Sequence, residues 1–142
     1  MYIIKVEHHF DSAHFLAGYS GKCANIHGHR WRVEVEVAAA ELIAEGQCRG
    51  MVADFSDLKR DVRETLDFYD HALIIEEGTL RKETLTCLEA EGFRVIKVKF
   101  RPTAENFSRF FYQCIGEKGH RVKRVTVYET PVNCSSHESD EA

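Results

Sequence analysis

Two stretches near the start of the chain alternate between apolar and polar residues. Residues 2–10 place Val6 and Phe10 on one face, and residues 29–39 do the same with Trp31 and the valines that follow it at every second position. Successive side chains of a strand point to opposite faces of a sheet. Both stretches therefore predict strands with one buried face and one charged, solvated face.

Helical spacing dominates much of the remaining chain. The first predicted helix has Ser56 as its N-cap, the second ends at Gly92, and the third begins at Thr103 and carries a stripe of aromatic residues. Further alternation predicts two strands between and after these helices. The predicted helices cover residues 55–69, 79–91 and 103–115, and the two later strands cover residues 93–100 and 121–130.

This order of elements predicts an α+β fold. Hairpin-like strands with intervening helices favour an antiparallel sheet that has helices on one face, and we expect contacts within an oligomer to close the other face. A chain of 142 residues is expected to form one domain. We place that domain at residues 1–133 and expect the polar, acidic residues 134–142 to be a flexible tail.

Charge and composition narrow the class of protein. Lys plus Arg is 19 and Asp plus Glu is 23, a net charge of −4, which disfavours a nucleic-acid partner because such proteins usually carry a basic face. No apolar run has the length of a membrane span, and no basic segment followed by an apolar stretch indicates a signal peptide. The 5 cysteines are irregularly spaced, which predicts free thiols and a cytoplasmic protein.

Three histidines have the spacing of a metal site. His27 and His29 are two residues apart on a predicted strand, so their imidazoles point to the same side, and Gly28 between them leaves room for close approach. If the first two strands are antiparallel neighbours, His14 arrives beside this pair. Three neutral imidazoles with an open fourth position are typical of catalytic zinc. The alternative is three separate surface or hydrogen-bonded histidines.

Cys23 precedes His27 in a short loop and could act in two ways. Its sulfur could close a tetrahedral zinc site together with the three histidines. It could instead remain off the metal as a reactive thiolate beside the cation and Lys22. Spacing alone leaves both roles open.

Other polar residues suggest proton transfer or ligand binding. Asp70 and His71 form either a proton relay or a helix end at which a histidine is favoured by the helix dipole. Glu129 shares a face with buried valines, so it is either an anchor for the N–H donors of a ligand or a strand-end residue outside the core. Thr103 and Glu105 suit the start of a helix, and a ligand held by their backbone amides is the weaker alternative.

Several short motifs in a fixed order resemble the 6-pyruvoyltetrahydropterin synthase superfamily over about residues 1–133. The Cys-x-x-x-His-Gly-His spacing is similar to its 6-carboxytetrahydropterin synthase branch, which serves queuosine and other 7-deazapurines. The motifs are, in chain order, FDSAHFL from Phe10, CANIHGH from Cys23, DF from Asp54 with LK from Leu58, DH from Asp70, PTAEN from Pro102 and ET from Glu129.

The resemblance implies a tunnelling fold, in which a four-stranded antiparallel sheet with helices on one face assembles into a barrel of trimers and usually hexamers. It implies 7,8-dihydroneopterin triphosphate as the substrate, and 6-carboxytetrahydropterin, acetaldehyde and triphosphate as the products. The residue roles that it implies are zinc ligation by His14, His27 and His29, general base catalysis by Cys23 with Asp70 and His71 as its relay, and pterin binding by Glu129, Thr103 and Glu105.

Two alternative functions remain at this stage. One is elimination of triphosphate to the 6-pyruvoyl product, and the other is a non-catalytic binding module in which Cys23 closes a structural zinc site. The chain also departs from compact members of the family, since residues 76–99 form a longer segment and Ala72 to Ile75 replace a Leu-Asn pair. These departures concern the rim of the predicted pocket.

Overall fold

The two alternating stretches form the centre of the sheet. In the computed structural model, which describes residues 1–140, β1 (Tyr2–His14) and β2 (His27–Ala39) pair antiparallel along their whole length. The register runs from Tyr2 opposite Ala39 to His14 opposite His27. Residues 141–142 of the expected tail lie outside the described part of the chain.

The sheet has six strands, so the expectation of four antiparallel strands is wrong in number and in part in direction. An antiparallel group of β1, β2, β5 and β6 is present, and β3 and β4 extend it beyond β1 with parallel pairing. The strand order is β4-β3-β1-β2-β5-β6, with the additional strands at Ala72–Glu76 (β3), Val95–Val98 (β4), Val122–Thr130 (β5) and Asn133–Glu138 (β6).

The parallel strands arise from the long segment between the first and the last helix. Parallel neighbours need a crossover connection, which α2 (Lys82–Ala90) supplies between β3 and β4. Ile74 belongs to the main core, and the adjacent Ile75 is also buried although it faces the other way. A strand buried on both faces has no polar alternation, and β3 was therefore absent from the sequence-based prediction.

Strand β6 occupies residues that the sequence assigns to the polar tail. It pairs with β5, and the hydroxyls of Thr126 and Ser136 lie 2.7 Å apart across the two strands. An edge strand is held by backbone hydrogen bonds and needs no apolar face. Its composition therefore gave no signal of a strand.

Helices α1 (Phe55–Asp67) and α3 (Ala104–Glu117) pack on one face of the sheet, whereas α2 contributes no buried residue. The N-cap of α1 is Asp54, which accepts a hydrogen bond from the amide of Ser56 at 2.7 Å, so the prediction of Ser56 as the cap is wrong by two positions. Thr103 caps α3 as predicted.

The two faces of the central strands differ sharply. The helix-covered face holds an aromatic core in which Phe10 and Phe107 contact Trp31, all of them fully buried. The opposite face carries ion pairs, among them Arg32 with Glu34 at 2.6 Å. Within residues 1–140, no helix is both long and apolar enough to cross a membrane.

Candidate metal centre

Three strand ends bring the predicted histidines together. His14 ends β1, His27 begins β2 directly opposite it, and His29 follows on the same face as His27. Glu129 approaches from the end of β5. One nitrogen or oxygen atom from each of these four residues lies within 4.8 Å of the others, which makes the group a possible metal site. The expectation that strand pairing places His14 beside the other two is confirmed.

The spacing between the four candidate ligand atoms suits tetrahedral coordination. Nε2 of His14 lies 3.1 Å from Nε2 of His27 and 3.5 Å from Oε1 of Glu129, and Nε2 of His29 lies 3.3 Å from the same oxygen. Ligand atoms about 2.0–2.1 Å from a tetrahedral zinc ion are separated by about 3.3 Å. The measured distances bracket that separation.

The tautomers of two histidines are set by backbone carbonyl groups. Nδ1 of His14 donates to the carbonyl oxygen of Pro102 at 2.6 Å, and Nδ1 of His27 donates to that of Asn25 at 2.7 Å. Each neutral ring then carries its lone pair on Nε2, and the two lone pairs face each other at 3.1 Å. Two acceptors at that distance repel, and a cation between them would remove the repulsion.

Burial also keeps the imidazoles of His14 and His29 neutral. Desolvation lowers the pKa of His14 from 6.5 to about 4, and burial likewise lowers the pKa of His29. Nε2 of His29 is buried without a hydrogen-bond partner, because its approach to Glu129 lacks hydrogen-bond geometry. A neutral imidazole with an unused lone pair is the form that binds metal. The donor set therefore fits a divalent metal ion.

The hydrogen bonds to Pro102 and Asn25 were not foreseen from the sequence. Carbonyl acceptors of this kind orient the ligating rings and fix their tautomers. Every residue has a carbonyl group, so the sequence carries no signal for them. The position of Glu129 at the fourth corner was also not foreseen, because the sequence suggested a ligand-binding role for it.

Cys23 lies outside this cluster. It sits in a short 3-10 turn (Lys22–Ala24), where its carbonyl oxygen accepts a hydrogen bond from the amide of Leu16 at 2.9 Å. Among the described residues, no cysteine sulfur joins the group of candidate ligand atoms. This placement gives no support to Cys23 as the fourth ligand, and the sulfur is half-buried in a loop beside the strand that carries the histidines.

Asp70 and His71 form a hydrogen-bonded pair in the turn that precedes β3. Nδ1 of His71 lies 2.8 Å from Oδ2 of Asp70, and His71 has a positive φ of 54°, which turns two adjacent side chains toward each other. The amide of Asp11 donates to Asp70 at 2.8 Å, and this hydrogen bond is the main cause that lowers the pKa of the carboxyl group. Within residues 1–140, no hydrogen bond or ion pair joins this pair to the histidine cluster.

Thr103 and Glu105 lie at the start of α3, next to the carbonyl group that orients His14. The hydroxyl of Thr103 accepts a hydrogen bond from the amide of Asn106 at 3.3 Å, whereas Glu105 is exposed. The structural roles expected for a helix start are therefore present. The side chain of Glu105 is free to contact a ligand or a neighbouring molecule.

Two cavities bear on the location of a site. One of about 600 Å³, lined mostly by apolar residues such as Phe68, Phe100 and Phe110, lies beside β4 and contains no candidate metal ligand. Another of about 440 Å³ is lined by His29 and Glu129. We assign the candidate site to the second cavity, because two of the candidate metal ligands line it, although the first cavity is larger.

The fold and the cluster together define an α+β protein with a candidate metal site of three histidines and a carboxylate at one end of its sheet. The sequence model of the family described as 6-pyruvoyl tetrahydropterin synthase matches residues 3–140. The chain therefore belongs to that family, as the sequence motifs predicted.

Similar proteins include several named for the carboxy product. The 6-carboxy-5,6,7,8-tetrahydropterin synthase of Haemophilus influenzae is 36% identical over 136 residues, which cover 94% of this chain and 96% of that protein. The protein of the same name from Rickettsia bellii is 33% identical over 132 residues, or 88% of this chain and 91% of its own.

Solved structures share the fold at lower identity. An uncharacterized protein from Wolinella succinogenes superposes with a TM-score of 0.78 at 21% identity, covering 98% of both chains. The 6-pyruvoyl tetrahydropterin synthase of Caenorhabditis elegans gives a TM-score of 0.67 at 23% identity, covering 99% of this chain and 98% of that one. These similarities show the α+β fold.

Proposed function

We propose that the protein is a zinc-dependent carbon–carbon lyase. It converts 7,8-dihydroneopterin triphosphate to 6-carboxy-5,6,7,8-tetrahydropterin and releases acetaldehyde and triphosphate, a step in the biosynthesis of queuosine and related 7-deazapurines in the cytoplasm. The observation that carries the proposal is the cluster of His14, His27, His29 and Glu129 in a chain that is 36% identical to a protein named for this product.

The three histidines would hold the zinc ion, because zinc favours nitrogen and oxygen ligands in tetrahedral geometry. Bound there, zinc would polarise the side-chain oxygens of the substrate and acidify the neighbouring C–H bonds. Glu129 fills the fourth corner in this structure. For substrate to reach that corner, the carboxylate of Glu129 must turn away, and it then accepts hydrogen bonds from the N–H donors of the pterin ring.

Cys23 is proposed as the general base. A thiolate that is not part of the cluster can take a proton from the substrate while the fourth corner stays available. Asp70 and His71 would then exchange that proton with solvent, because Asp70 orients the ring of His71 and the ring is largely exposed. The rearrangement is redox-neutral, so these residues need to move only protons.

The relay pair does not contact the cluster within one chain, and this favours a site shared between subunits. We propose a homohexamer, a dimer of trimers, in which the exposed His71 of one subunit faces the metal cluster of another. Thr103 and Glu105 would help to hold the pterin ring in the same pocket. Such an assembly would also give the charged face of the sheet a partner.

Elimination of triphosphate to 6-pyruvoyltetrahydropterin is the second candidate. It is favoured by the description of the matching family and by the names of solved structures with the same fold. The relatives named for the carboxy product are more similar in sequence. The carboxy product is therefore our first choice. A structural zinc module closed by Cys23 is disfavoured, because Cys23 lies outside the cluster.

Product analysis tests the proposal directly. The purified protein is incubated with 7,8-dihydroneopterin triphosphate, and the pterin and acetaldehyde are identified by mass spectrometry. We expect 6-carboxytetrahydropterin and acetaldehyde in equal amounts. A pyruvoyl product without acetaldehyde would select the second candidate, and an unchanged substrate in the presence of bound zinc would overturn both.

A further inference from the structure

The cavity of about 440 Å³ connects the metal cluster with the charged face of the sheet. It forms where β2 and β5 separate, because their pairing begins at Arg32 opposite Tyr128 and does not extend to His29 or Glu129. Residues of the metal cluster and residues of the charged face therefore both line it. The lining residues outside the cluster include His9, Gly28, Arg30, Arg32, Tyr128 and Thr130.

The two arginines that line the cavity differ in how closely carboxylates contact their guanidinium groups. Arg32 lies 2.6 Å from Glu34 and 3.2 Å from Glu7, and its guanidinium stacks on the ring of Tyr128. Both carboxylates contact Nη1 of Arg32 and already compensate its charge. An anion that entered the cavity would have to compete with both of them.

Arg30 retains most of its binding capacity. It donates to Nε2 of His9 at 2.5 Å, which requires a neutral acceptor, and the nearest carboxylate oxygen among the described residues is that of Asp11 at 3.7 Å. Its side chain is 65% exposed. A guanidinium has five N–H donors in a planar fork that matches phosphate oxygens. Arg30 can therefore take an anion without first breaking a close ion pair.

Gly28 leaves the floor of this cavity open. Its φ is not positive, and an added Cβ would lie 3.4 Å from the carbonyl oxygen of Ser12, so neither backbone conformation nor strand pairing requires a glycine. The missing side chain instead widens the cavity between the cluster and Arg30. A chain of linked phosphates could pass over this position without a side chain in its way.

We propose that Arg30 binds the polyphosphate tail of the substrate, an inference that rests on the proposed function. The cavity is lined both by the carboxylate of Glu129, which suits the N–H donors of a pterin ring, and by the guanidinium of Arg30, which suits phosphate. Glu129 also belongs to the metal cluster. Arg30 is a binding and specificity residue for the triphosphate and takes no part in moving protons.

Binding of inorganic triphosphate to the zinc-loaded protein tests this assignment by calorimetry. Arg30→Ala is expected to weaken binding by about tenfold to a hundredfold, because it removes charge-assisted hydrogen bonds. Arg30→Lys is expected to fall between the wild type and Arg30→Ala, since it keeps the charge without the fork. Because the side chain is exposed, circular dichroism and Tm are expected to show unchanged folding.

Arg124→Ala is the matched control. Arg124 is on the same sheet and pairs with Glu138 at 2.6 Å, but it does not line the cavity, so its removal changes the net charge by the same amount. Triphosphate binding is expected to be unaffected in this variant. Equal weakening in both variants would mean that only the overall charge matters, and unchanged binding in Arg30→Ala, or no binding to wild type, would also overturn the assignment.

A comparison of ligands separates the tail from the ring. Arg30→Ala should weaken binding of 7,8-dihydroneopterin triphosphate and leave binding of unphosphorylated 7,8-dihydroneopterin unchanged, with KM raised and kcat nearly constant. If the variant weakened both ligands equally, the arginine would not act on the tail. If wild type bound triphosphate through Arg30 but did not transform the substrate, the proposed function would fail while the anion site remained.

Discussion

The protein has two histidine–carboxylate groups with opposite surroundings. In the candidate metal cluster, His14 is fully buried and its ring is fixed by a backbone carbonyl group, and Glu129 approaches Nε2 of both His14 and His29. In the turn before β3, the side chain of His71 is 79% exposed, and within residues 1–140 the hydrogen-bond partner of its ring is Asp70. The first group could hold a cation within one chain, and the second presents its imidazole to the surroundings of the chain.

The two groups differ in their contact with solvent. Desolvation lowers the pKa of His14 and of His29 and keeps these two imidazoles neutral, whereas the side chain of His71 is exposed. The four predictions that follow change a cluster histidine, Cys23 or the pair of Asp70 and His71, and they are ordered from the largest expected effect to the smallest.

Removal of a cluster histidine should have the largest effect. His27→Ala is expected to lose the metal and all measurable turnover together, because it leaves only two of the three proposed histidine ligands. Zinc content, measured by mass spectrometry of the metal, is expected to fall from about one ion per chain to almost none. The control is His8→Ala, since His8 pairs with Asp67 away from the cluster. Full zinc and full turnover in His27→Ala would contradict the metal assignment.

Substitution of Cys23 should separate chemistry from metal binding. Cys23→Ala is expected to keep its zinc and to bind the pterin, while turnover falls by at least roughly 10²-fold through loss of a positioned proton acceptor. Cys87→Ala is a matched control, because Cys87 is an exposed thiol on α2. Alkylation of the native protein is expected to modify Cys23 more slowly when substrate is bound. Loss of zinc in Cys23→Ala would instead identify the sulfur as a ligand.

Mixing two inactive variants tests whether the relay pair serves a neighbouring subunit. His71→Ala is expected to retain zinc and to lose turnover, because it removes the exposed end of the relay. Mixed oligomers of Cys23→Ala with His71→Ala should recover part of the wild-type activity, since some sites then combine an intact cysteine with an intact relay. Light scattering should show the same oligomer in all samples. No recovery in verified mixed oligomers would contradict a relay that is supplied by the neighbouring subunit.

The smallest effect concerns stability of the metal-free protein as a function of pH. Burial lowers the pKa of His14 from its ordinary value of 6.5 to about 4 in the folded chain, so between these pH values the unfolded chain binds a proton that the folded chain does not. The stability due to neutral His14 is therefore lost as pH falls from about 6.5 to about 4, by up to about 3 kcal/mol. Urea unfolding at several pH values measures this slope.

The relay pair should respond in a different range. The pKa of Asp70 is lowered by the amide of Asp11, so its contribution to stability is present above the ordinary Asp pKa and is lost only as pH falls further. His14→Ala should flatten the slope between pH 6.5 and 4, and Asp70→Asn should leave it unchanged. An unaltered slope in His14→Ala would show that His14 is not the group that titrates.

The sequence by itself determined much of the centre of this protein. Alternation located β1 and β2, helical spacing located α1 and α3, and the motif around His27 and His29 indicated the metal site. These features are local, because strand and helix periods fix which side chains share a face before any tertiary contact is made.

Tertiary structure decided what depends on distant partners. Buried β3 has no polar alternation and polar β6 has no apolar face, so only pairing with their neighbours makes them strands. Likewise, the carbonyl of Pro102 orients His14 across 88 positions of sequence, and Glu129 reaches the fourth corner from β5. Every residue has a backbone carbonyl group, so the sequence carries no signal for the hydrogen bond that orients His14. The position of Glu129 beside the histidine nitrogens is set only when the ends of β1, β2 and β5 come together in the folded chain.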